Sequence, residues 1–234
     1  MIGVVAELTR YPVKSMAGEP MSAVTVDWLG IAGDRQYGFF KRNDRSRFPW
    51  LTARDIPDLV AHRARFRDPA LPKRSPVDVR LPDGRSLALN ARELIECLQS
   101  RVGEELGLLQ LGRGAFDAMP ISLSGSASHA ALDAACGRAV DGRRFRFNIM
   151  IESDVPEAEW CGRKILFGDG ADSTELFVTD SIERCAMITI DPDSARRDPE
   201  LMRVVAQQFG NRLGVYATTA RPGQIRVGDR VVLL

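Results

Sequence analysis

Short β-rich segments separated by glycine- and proline-containing turns recur along most of the 234-residue chain. Five segments have the composition or the alternation of strands: 2–8, 23–28, 36–40, 59–66 and the hairpin 76–89. The last fourteen residues, RPGQIRVGDRVVLL, add two strands around a Gly–Asp turn. Strands of this length and spacing favour a barrel or a sandwich over a parallel α/β sheet. We therefore expect a mainly β protein.

Three segments have helical patterns, so a few helices should flank the sheet. In 90–106 leucine or valine recurs every four residues, with Asn90 as a capping candidate and Gly107 as a stop. The segment 126–136 is rich in alanine and begins with serine, and 198–209 has Pro at its first helical position. The glycine-flanked stretch 107–114 marks a plausible joint between two parts of the chain.

The charge of the chain is nearly balanced but unevenly distributed. Thirty-two basic and 31 acidic side chains give a net charge of +1, whereas nucleic-acid-binding proteins usually have a strong basic excess. Residues 35–74 contain eleven Lys or Arg and four Asp, a local charge of +7. This segment is either a solvated surface or a docking face for an anion or an acidic protein.

The chain shows no feature that directs it to a membrane or out of the cell. No stretch approaches the roughly 18 apolar residues of a membrane span. The N-terminal sequence MIGVVAELTR lacks the charged start of a signal peptide. We expect a cytoplasmic protein that binds neither nucleic acid nor a membrane.

Four cysteines and two histidines limit the metal chemistry that the chain can support. The cysteines lie 39, 25 and 24 residues apart, at Cys97, Cys136, Cys161 and Cys185. There is no CxxC pair and no HExxH motif, so a local zinc or iron–sulfur site is not expected. Any mechanism that needs a histidine would have to use His62 or His129.

The segment 143–149, RRFRFNI, is the most informative local pattern. If it forms a strand, its apolar side chains face a core and its polar ones share the other face, about 7 Å apart. The polar set is Arg144, Arg146 and Asn148. Two guanidiniums and an amide in a row can bind an anion bidentately. The alternative is a pair of arginines exposed on the outside of a barrel.

Two further pairs of residues are candidates for a site. Lys14 and Ser15 follow the first strand, where they form either an ordinary turn or a binding site for phosphate or carboxylate. Arg184 precedes Cys185 at the start of an apolar run. A cysteine in such a run is more often buried than a ligand, but a nearby arginine favours a thiolate.

Seven motifs along the chain resemble those of the MOSC family, whose name refers to the C-terminal domain of molybdenum cofactor sulfurases. Three resemble its N-terminal region: RYPVKS at 10–15, GIAGDR at 30–35 and LTARDIPDL at 51–59. Four resemble the MOSC domain: RFRFNI at 144–149, EWCGRKILFGD at 159–169, ERCAMITIDPD at 183–193 and GQIRVGDRVVLL at 223–234. The order is that of the family, and the architecture resembles that of the amidoxime-reducing components and their bacterial relatives.

The resemblance implies a MOSC-type β-barrel with a second, N-terminal lobe. The N-terminal region would span 1–112 and the MOSC domain 113–234, with 1–35 completing the barrel and 36–112 inserted as the lobe. The implied cofactor is molybdenum–molybdopterin, and the implied activity is the two-electron reduction of small N-hydroxylated substrates. The chain has no flavin, haem or iron–sulfur motif, so we expect an external electron donor: an acidic ferredoxin, a flavodoxin or a reductase.

The resemblance also assigns roles to particular residues. Cys185 would be the catalytic thiolate that ligates molybdenum. The cofactor contacts that the resemblance implies are Lys14, Ser15, Arg35, Arg146 and Asn148, with Ser126 or Ser128 from the loop before the second helix. The alternation in 143–149 adds Arg144 to these candidates, and its place beside Cys185 adds Arg184. The positive charge of residues 35–74, and not the resemblance, predicts that the electron donor docks on this lobe through Arg42, Arg45 and Arg47.

The sequence departs from the family pattern at two positions, and it leaves other functions open. Phe147 replaces the usual proline of RFRPN, and Glu183 stands where relatives often have a small residue. A non-catalytic carrier of cofactor or sulfur, or a protein that no longer binds the cofactor, remains possible. Pyridoxal phosphate is associated with the family only through the sulfurases, whose lysine for it belongs to a domain that these motifs do not cover.

Overall fold

The computed structural model describes residues 1–170 and 173–234. Strands account for 37% of the residues and helices for 21%, so the chain is mainly β. The strands are β1 (Gly3–Arg10), β2 (Glu19–Met21), β3 (Ala23–Asp27), β4 (Gly30–Ile31), β5 (Tyr37–Lys41), β6 (Arg63–Phe66), β7 (Val77–Arg80), β8 (Ser86–Ala88), β9 (Leu106–Gln110), β10 (Ile121–Gly125), β11 (Ile149–Glu152), β12 (Lys164–Phe167), β13 (Thr174–Glu183), β14 (Arg212–Arg221), β15 (Gly223–Arg226) and β16 (Arg230–Leu233). The α-helices are α1 (Arg92–Val102), α2 (Ser126–Cys136) and α3 (Pro199–Gln208).

Seven strands form a closed β-barrel, which confirms the predicted fold class. Their order is β11, β10, β14, β13, β12, β16 and β1, and β1 closes the ring by pairing with β11. Only the β10–β11 pair is parallel among these neighbours. The barrel core contains apolar side chains from opposite sides of the ring, such as Val5 of β1 and Val178 of β13. The N-terminal strand β1 is therefore part of the same barrel as the C-terminal strand β16.

A second lobe is built from short sheets and one helix. Strand β5 pairs with β9, and β6, β7 and β8 form a three-stranded antiparallel sheet. Helix α1 buries Leu94 and Leu98 in the core of this lobe. The same core includes Val13 and Met16, which follow the barrel strand β1, so the lobe packs directly on the chain that leaves the barrel. Within the described residues, no helix is long and apolar enough to cross a membrane.

The longest strand pair of the barrel leads to Cys185. Strands β13 and β14 pair with register shifts along their length, the last of them between Ser181 and Glu183. Such bulges bend and twist a strand and redirect the side chains beyond them. The chain after β13 then enters a 3₁₀ turn, Ala186–Thr189, and Cys185 is the residue that precedes this turn.

The predicted strand over 143–149 is wrong. The chain forms a 3₁₀ turn at Gly142–Phe145, Arg146 has a left-handed backbone with φ of 58°, and the strand begins only at Ile149. The Asp141 carboxylate accepts the N–H of Arg143 at 2.9 Å, which stabilises the turn. Local turn chemistry therefore overrides the alternation, and the polar side chains of this segment do not share a strand face.

Two other boundaries differ from the sequence-based predictions. Leu59 belongs to a 3₁₀ turn, Pro57–Ala61, and the strand starts only at Arg63. Helix α1 is shorter than 90–106 because it ends at Gly103, whose φ of 74° allows a left-handed cap. Helix α2 begins and ends as predicted, and α3 begins after Asp198, whose carboxylate accepts the N–H of Leu201.

Candidate functional site

A cavity of about 500 Å³ lies between one end of the barrel and the lobe. Residues of the lobe, such as Phe48 and Thr52, form part of its wall. Seven of the ten predicted site residues line it: Lys14, Ser15, Arg35, Arg144, Arg146, Arg184 and Cys185. The fold therefore brings together residues that are separated by up to 171 positions in the sequence.

Cys185 is an exposed, free cysteine at this cavity. It lies between the end of β13 and the 3₁₀ turn, so the apolar run that follows it forms the turn and not a strand. Cys136 and Cys161 are partly buried, and Cys97 is exposed on α1 of the lobe. Cys185 is thus the one cysteine that lines the cavity. Across the described residues, no group of three or more His, Cys, Asp or Glu side chains forms a metal site.

Lys14 provides a buried cation on the barrel side of the cavity. Its Nζ donates to the carbonyl oxygen of Ala115 at 2.8 Å and to Oδ1 of Asp117 at 2.5 Å. Burial lowers the pKa of the Lys14 ammonium, and Asp117 partly opposes this effect. Asp117 itself is exposed, on the segment that joins β9 to β10. A buried cation is therefore balanced by a carboxylate that water can reach.

Arg35 is held firmly by its neighbours. It donates to the Asp34 carboxylate, to Oδ1 of Asn148 at 3.2 Å and to the carbonyl oxygen of Arg146 at 3.1 Å. Burial opposes its charge most strongly, but Asp34 together with other neighbours such as Asp117 outweighs burial and raises the pKa of the Arg35 guanidinium. Arg35 therefore remains charged, and it also fixes the backbone of a second cavity arginine.

Arg146 and Arg184 each leave one buried nitrogen without a partner. Nη1 of Arg146 donates to the carbonyl oxygen of Met16 at 2.7 Å, and Arg184 donates to the carbonyl oxygens of Leu213 and Phe145 at 2.8 and 3.0 Å. The Nη2 atoms of both arginines have no acceptor in the described part of the chain. Burial lowers the pKa of each guanidinium to about 10, which leaves both charged at neutral pH. Because buried donors are normally paired, these two call for an anionic acceptor.

Phe147, which departs from the family pattern, supports Arg184. The guanidinium carbon of Arg184 lies 4.6 Å from the centre of the Phe147 ring, within the range of a cation–π interaction. Gly214 makes room for this ring, since a Cβ there would lie 2.1 Å from it. The second departure, Glu183, also lines the cavity, but its exposed carboxylate lies 3.6 Å from Arg212. Neither departure blocks the cavity.

Three cavity residues have left-handed backbones although none is glycine. Their φ angles are 65° at Ser15, 47° at Arg35 and 58° at Arg146. Only two other non-glycine residues of the described chain, Ala195 and Asn211, have positive φ. Such conformations cost roughly 1–3 kcal/mol each and tend to cluster at functional sites.

Arg144 and Asn148 are largely committed to other parts of the fold. Arg144 donates to the carbonyl oxygen of Thr189 at 2.9 Å and to Asp191 at 2.8 Å, which anchors the loop after the 3₁₀ turn. Asn148 is buried outside the cavity wall, where its amide donates to the carbonyl oxygen of Thr9 and its Oδ1 accepts from Arg35. Arg144 thus lines the cavity with both Nη atoms occupied and only its buried Nε without an acceptor in the described chain, and Asn148 contacts the cavity wall through Arg35 and Ser122.

Ser126 and Ser128 lie away from the cavity. The Ser126 hydroxyl donates to the carbonyl oxygen of Ser153 at 3.1 Å, and the Ser128 hydroxyl donates to the buried carboxylate of Glu157. Ser126 instead borders a neighbouring groove of about 1390 Å³ between the lobe and the barrel, which shares Arg144, Arg146 and Met187 with the cavity. Charges of both signs line this groove, but Cys185 does not, so the smaller cavity is the better candidate for a metal-binding site.

Several cavity residues have no signal in the sequence. Tyr216 lies in the middle of β14, where nothing distinguishes it from other strand residues. Ser122 donates to the carbonyl oxygen of Arg146 and to Asn148, and Asp117 lies in a loop. Tyr11, which lies behind the cavity wall, belongs to YPVKS, where the motif draws attention to the lysine and the serine.

The chain matches two family models that together cover nearly its whole length. The MOSC domain model matches residues 81–232, and the model of the MOSC N-terminal beta barrel domain matches residues 2–111. The chain also forms a closed β-barrel, with Cys185 in the cavity at one end of the barrel. It therefore belongs to the MOSC family.

Similar proteins include two kinds of curated relative and one solved structure. Human mitochondrial amidoxime-reducing component 1 is 26% identical, over 100% of this chain and 83% of its own. The mouse protein of the same name is 34% identical, over 50% of this chain and 37% of its own. Molybdenum cofactor sulfurase of Anopheles gambiae is 35% identical, over 33% of this chain and 10% of its own. The structure of the YUAD protein from Bacillus subtilis is 14% identical, with a TM-score of 0.54 over 100% of this chain and 96% of that one, which supports the fold alone.

Proposed function

We propose that this chain binds a molybdenum–molybdopterin cofactor and reduces N-hydroxylated compounds. One observation is central: an exposed cysteine lines a cavity where two partly buried arginines, Arg146 and Arg184, each have a buried nitrogen without an acceptor. A thiolate is a soft ligand that suits molybdenum, and the arginines suit an anionic cofactor. The similarity to amidoxime-reducing components supports the same function.

The residues of the cavity have separate roles in this proposal. Cys185 would ligate the metal, while Lys14, Arg146 and Arg184 would bind the anionic groups of the cofactor. Arg35 would hold Arg146 in place, because the Nη2 of Arg35 donates a hydrogen bond to the backbone carbonyl oxygen of Arg146. When bound, the cofactor supplies the two-electron chemistry that breaks an N–O bond, which with two protons yields the N–H product and water.

The cavity wall also suits an organic substrate beside the metal ligand. Phe48, Phe116 and Met119 provide apolar surface, and Tyr216 adds an aromatic ring with a hydroxyl. Burial raises the pKa of Tyr216, so this hydroxyl stays protonated and can donate a hydrogen bond at neutral pH. A small N-hydroxylated compound with an apolar body would match this combination.

The direct test is the replacement of Cys185 in protein made by a host that synthesises the cofactor. Cys185→Ser should fold but lose the thiolate absorption of the metal and most reduction of benzamidoxime with an artificial electron donor. Cys97→Ser, Cys136→Ser and Cys161→Ser are matched controls and should remain active. Full activity in Cys185→Ser would exclude the assignment. If the unaltered protein binds metal and pterin but does not turn over substrate, the alternative function, a non-catalytic carrier of cofactor or sulfur, would be favoured.

We also propose that an acidic protein delivers the electrons at the mouth of the cavity. The basic segment of the lobe includes Arg54, which lines the cavity and lies over Phe48. Arg45 and Arg47 lie shortly before Phe48 in the sequence. Both are exposed, and neither forms an ion pair in the described structure. A positive surface next to a redox site attracts an acidic donor and speeds encounter.

A further inference from the structure

Tyr11 follows β1 and is almost completely buried beside the cationic residues, with 4% of its surface exposed. It does not line the cavity. Its backbone N–H donates to Oδ1 of Asp34 at 2.7 Å, and its carbonyl oxygen accepts the N–H of Arg35 at 2.5 Å. Its hydroxyl donates to the carbonyl oxygen of Phe147 at 3.2 Å. One residue is thus connected to the two chain segments that provide Arg35 and Arg146.

The ring of Tyr11 contacts two guanidiniums at once. The guanidinium carbon of Arg35 lies 4.8 Å from the ring centre, and that of Arg146 lies 4.2 Å from it. Like charges repel, and an aromatic face attracts each of them. The ring therefore offsets part of the repulsion in a place where water is excluded.

The surroundings of Tyr11 preserve this arrangement. Burial raises the pKa of its hydroxyl, so the side chain stays neutral and keeps its hydrogen bond to Phe147. Gly18 provides the space for the ring, because a Cβ at that position would lie 2.7 Å from a Tyr11 carbon. Arg35 and Arg146, which both contact the ring, have left-handed backbones, and such conformations persist only where the surrounding structure supports them.

We infer that Tyr11 is a positioning residue, which holds Arg35 and Arg146 so that the unpaired Nη2 of Arg146 can receive an anion. This inference rests on the anion-binding site of the proposed function. It predicts that the aromatic ring, and not the hydroxyl, determines how well the site binds an anion. It also predicts that Tyr11 acts through Arg146.

The test measures inorganic phosphate binding to cofactor-free protein by calorimetry and the pterin content of protein from a cofactor-competent host. Tyr11→Leu should bind phosphate at least tenfold more weakly and retain correspondingly less pterin. Tyr11→Phe keeps the ring and should stay within about threefold of the unaltered protein, since only one hydrogen bond is lost. In a double-mutant cycle, Tyr11→Leu should add little to Arg146→Ala.

Phe167→Leu is the matched control, because it also replaces a buried ring by leucine, in the barrel core away from the cavity. It should lower thermal stability but not phosphate affinity. Equal losses of affinity in Phe167→Leu and Tyr11→Leu, additive losses in the cycle, or a Tyr11→Phe variant as weak as Tyr11→Leu would each overturn the inference.

The two readouts separate this inference from the proposed function. If no protein contains pterin but phosphate binding still depends on the ring and on Arg146, the proposed function fails and the inference stands. If Tyr11→Leu loads pterin as well as the unaltered protein, the inference fails and the proposed function stands. If the unaltered protein binds neither phosphate nor pterin, both fail.

Discussion

Two buried polar clusters on the same barrel differ in how completely their groups are paired. The glutamate cluster surrounds Glu157, which is 3% exposed and accepts from the N–H of Gly214 at 2.8 Å and from the hydroxyls of Ser124 and Ser128. The arginine cluster comprises Tyr11, Arg35, Arg146 and Arg184. It leaves the Nη2 atoms of Arg146 and Arg184 unpaired. The first cluster is complete within the chain, whereas the second lacks an acceptor.

This difference separates a structural cluster from a binding site. A buried carboxylate with several donors stabilises the segments that supply them, here β10, α2 and β14. Buried guanidinium nitrogens without acceptors destabilise the fold unless a ligand completes them. Both clusters contain residues that the family resemblance assigned to the cofactor, so only the pairing of the side chains distinguishes their roles.

The largest expected effect is on cofactor binding after Arg146→Ala. The change removes a cation whose Nη2 is buried without an acceptor, and a bound anion would lose a partner worth about 2–5 kcal/mol. We expect pterin content to fall by more than tenfold while the free energy of unfolding changes little. Arg163→Ala, which alters an exposed arginine on the outside of the barrel, is the control for charge. Equal pterin content in the two variants would show that the arginine cluster does not bind the cofactor.

The opposite pattern is expected for Glu157→Ala. The N–H of Gly214 and the hydroxyl of Ser124 would lose their acceptor, at roughly 1–3 kcal/mol for each unsatisfied group. Urea denaturation should show a loss of about 3 kcal/mol or more, while the folded protein binds phosphate with unchanged affinity. A weaker phosphate affinity as large as that of Arg146→Ala would mean that the two clusters are not independent.

The fold could be predicted because its signals are local. Alternating apolar residues, glycine-containing turns and the caps of α2 and α3 depend on neighbours in sequence. Residues 143–149 show the limit of such signals, because Asp141 precedes the segment and directs it into a turn. The competition between alternation and turn chemistry was decided by a residue outside the pattern.

The candidate site could be predicted only in part, because the hydrogen-bond partners of its side chains lie far away in the sequence. Motif resemblance pointed to Cys185 and to the cations, which lie at one cavity. It could not indicate that Asn148 accepts a hydrogen bond from Arg35 outside the cavity wall, or that the Ser128 hydroxyl donates to Glu157. Those partners come from distant segments, and no spacing in the sequence encodes them.

A smaller effect is expected at Lys14, where Asp117 competes with an incoming anion. Anion binding needs the protonated ammonium, whose pKa is lowered by burial and by the nearby Arg35 and Arg146 but raised by Asp117. Asp117→Asn should therefore strengthen sulfate binding a few-fold near neutral pH. It should also shift the loss of binding at high pH to lower pH, because the pKa of Lys14 falls further. Calorimetric titration with sulfate, whose charge is constant over this range, measures both.

Asp78→Asn is the control for Asp117→Asn. It removes a carboxylate that pairs with Arg67 on the surface of the lobe, so the net charge changes equally. It should leave sulfate binding and its pH dependence unchanged. If Asp117→Asn weakens sulfate binding instead, Asp117 holds the cavity in its binding form and does not compete with the anion.

The smallest expected effect concerns the surface beside the arginine cluster, where the charges face water. Arg42 lies 3.3 Å from Glu105 and is partly neutralised, so Arg45 and Arg47 should contribute most to donor docking. Replacing all three by Glu should slow reduction by an acidic donor protein a few-fold at low salt. The difference should vanish at high salt, because the Debye length falls from about 10 Å at 0.1 M to about 3 Å at 1 M. Reduction by a small neutral dye should not change, since the cavity and its buried cations are intact. If the triple variant accepts electrons from the protein donor at the unaltered rate in low salt, these arginines are only a solvated surface, and the functional charge of the molecule is confined to the buried cluster.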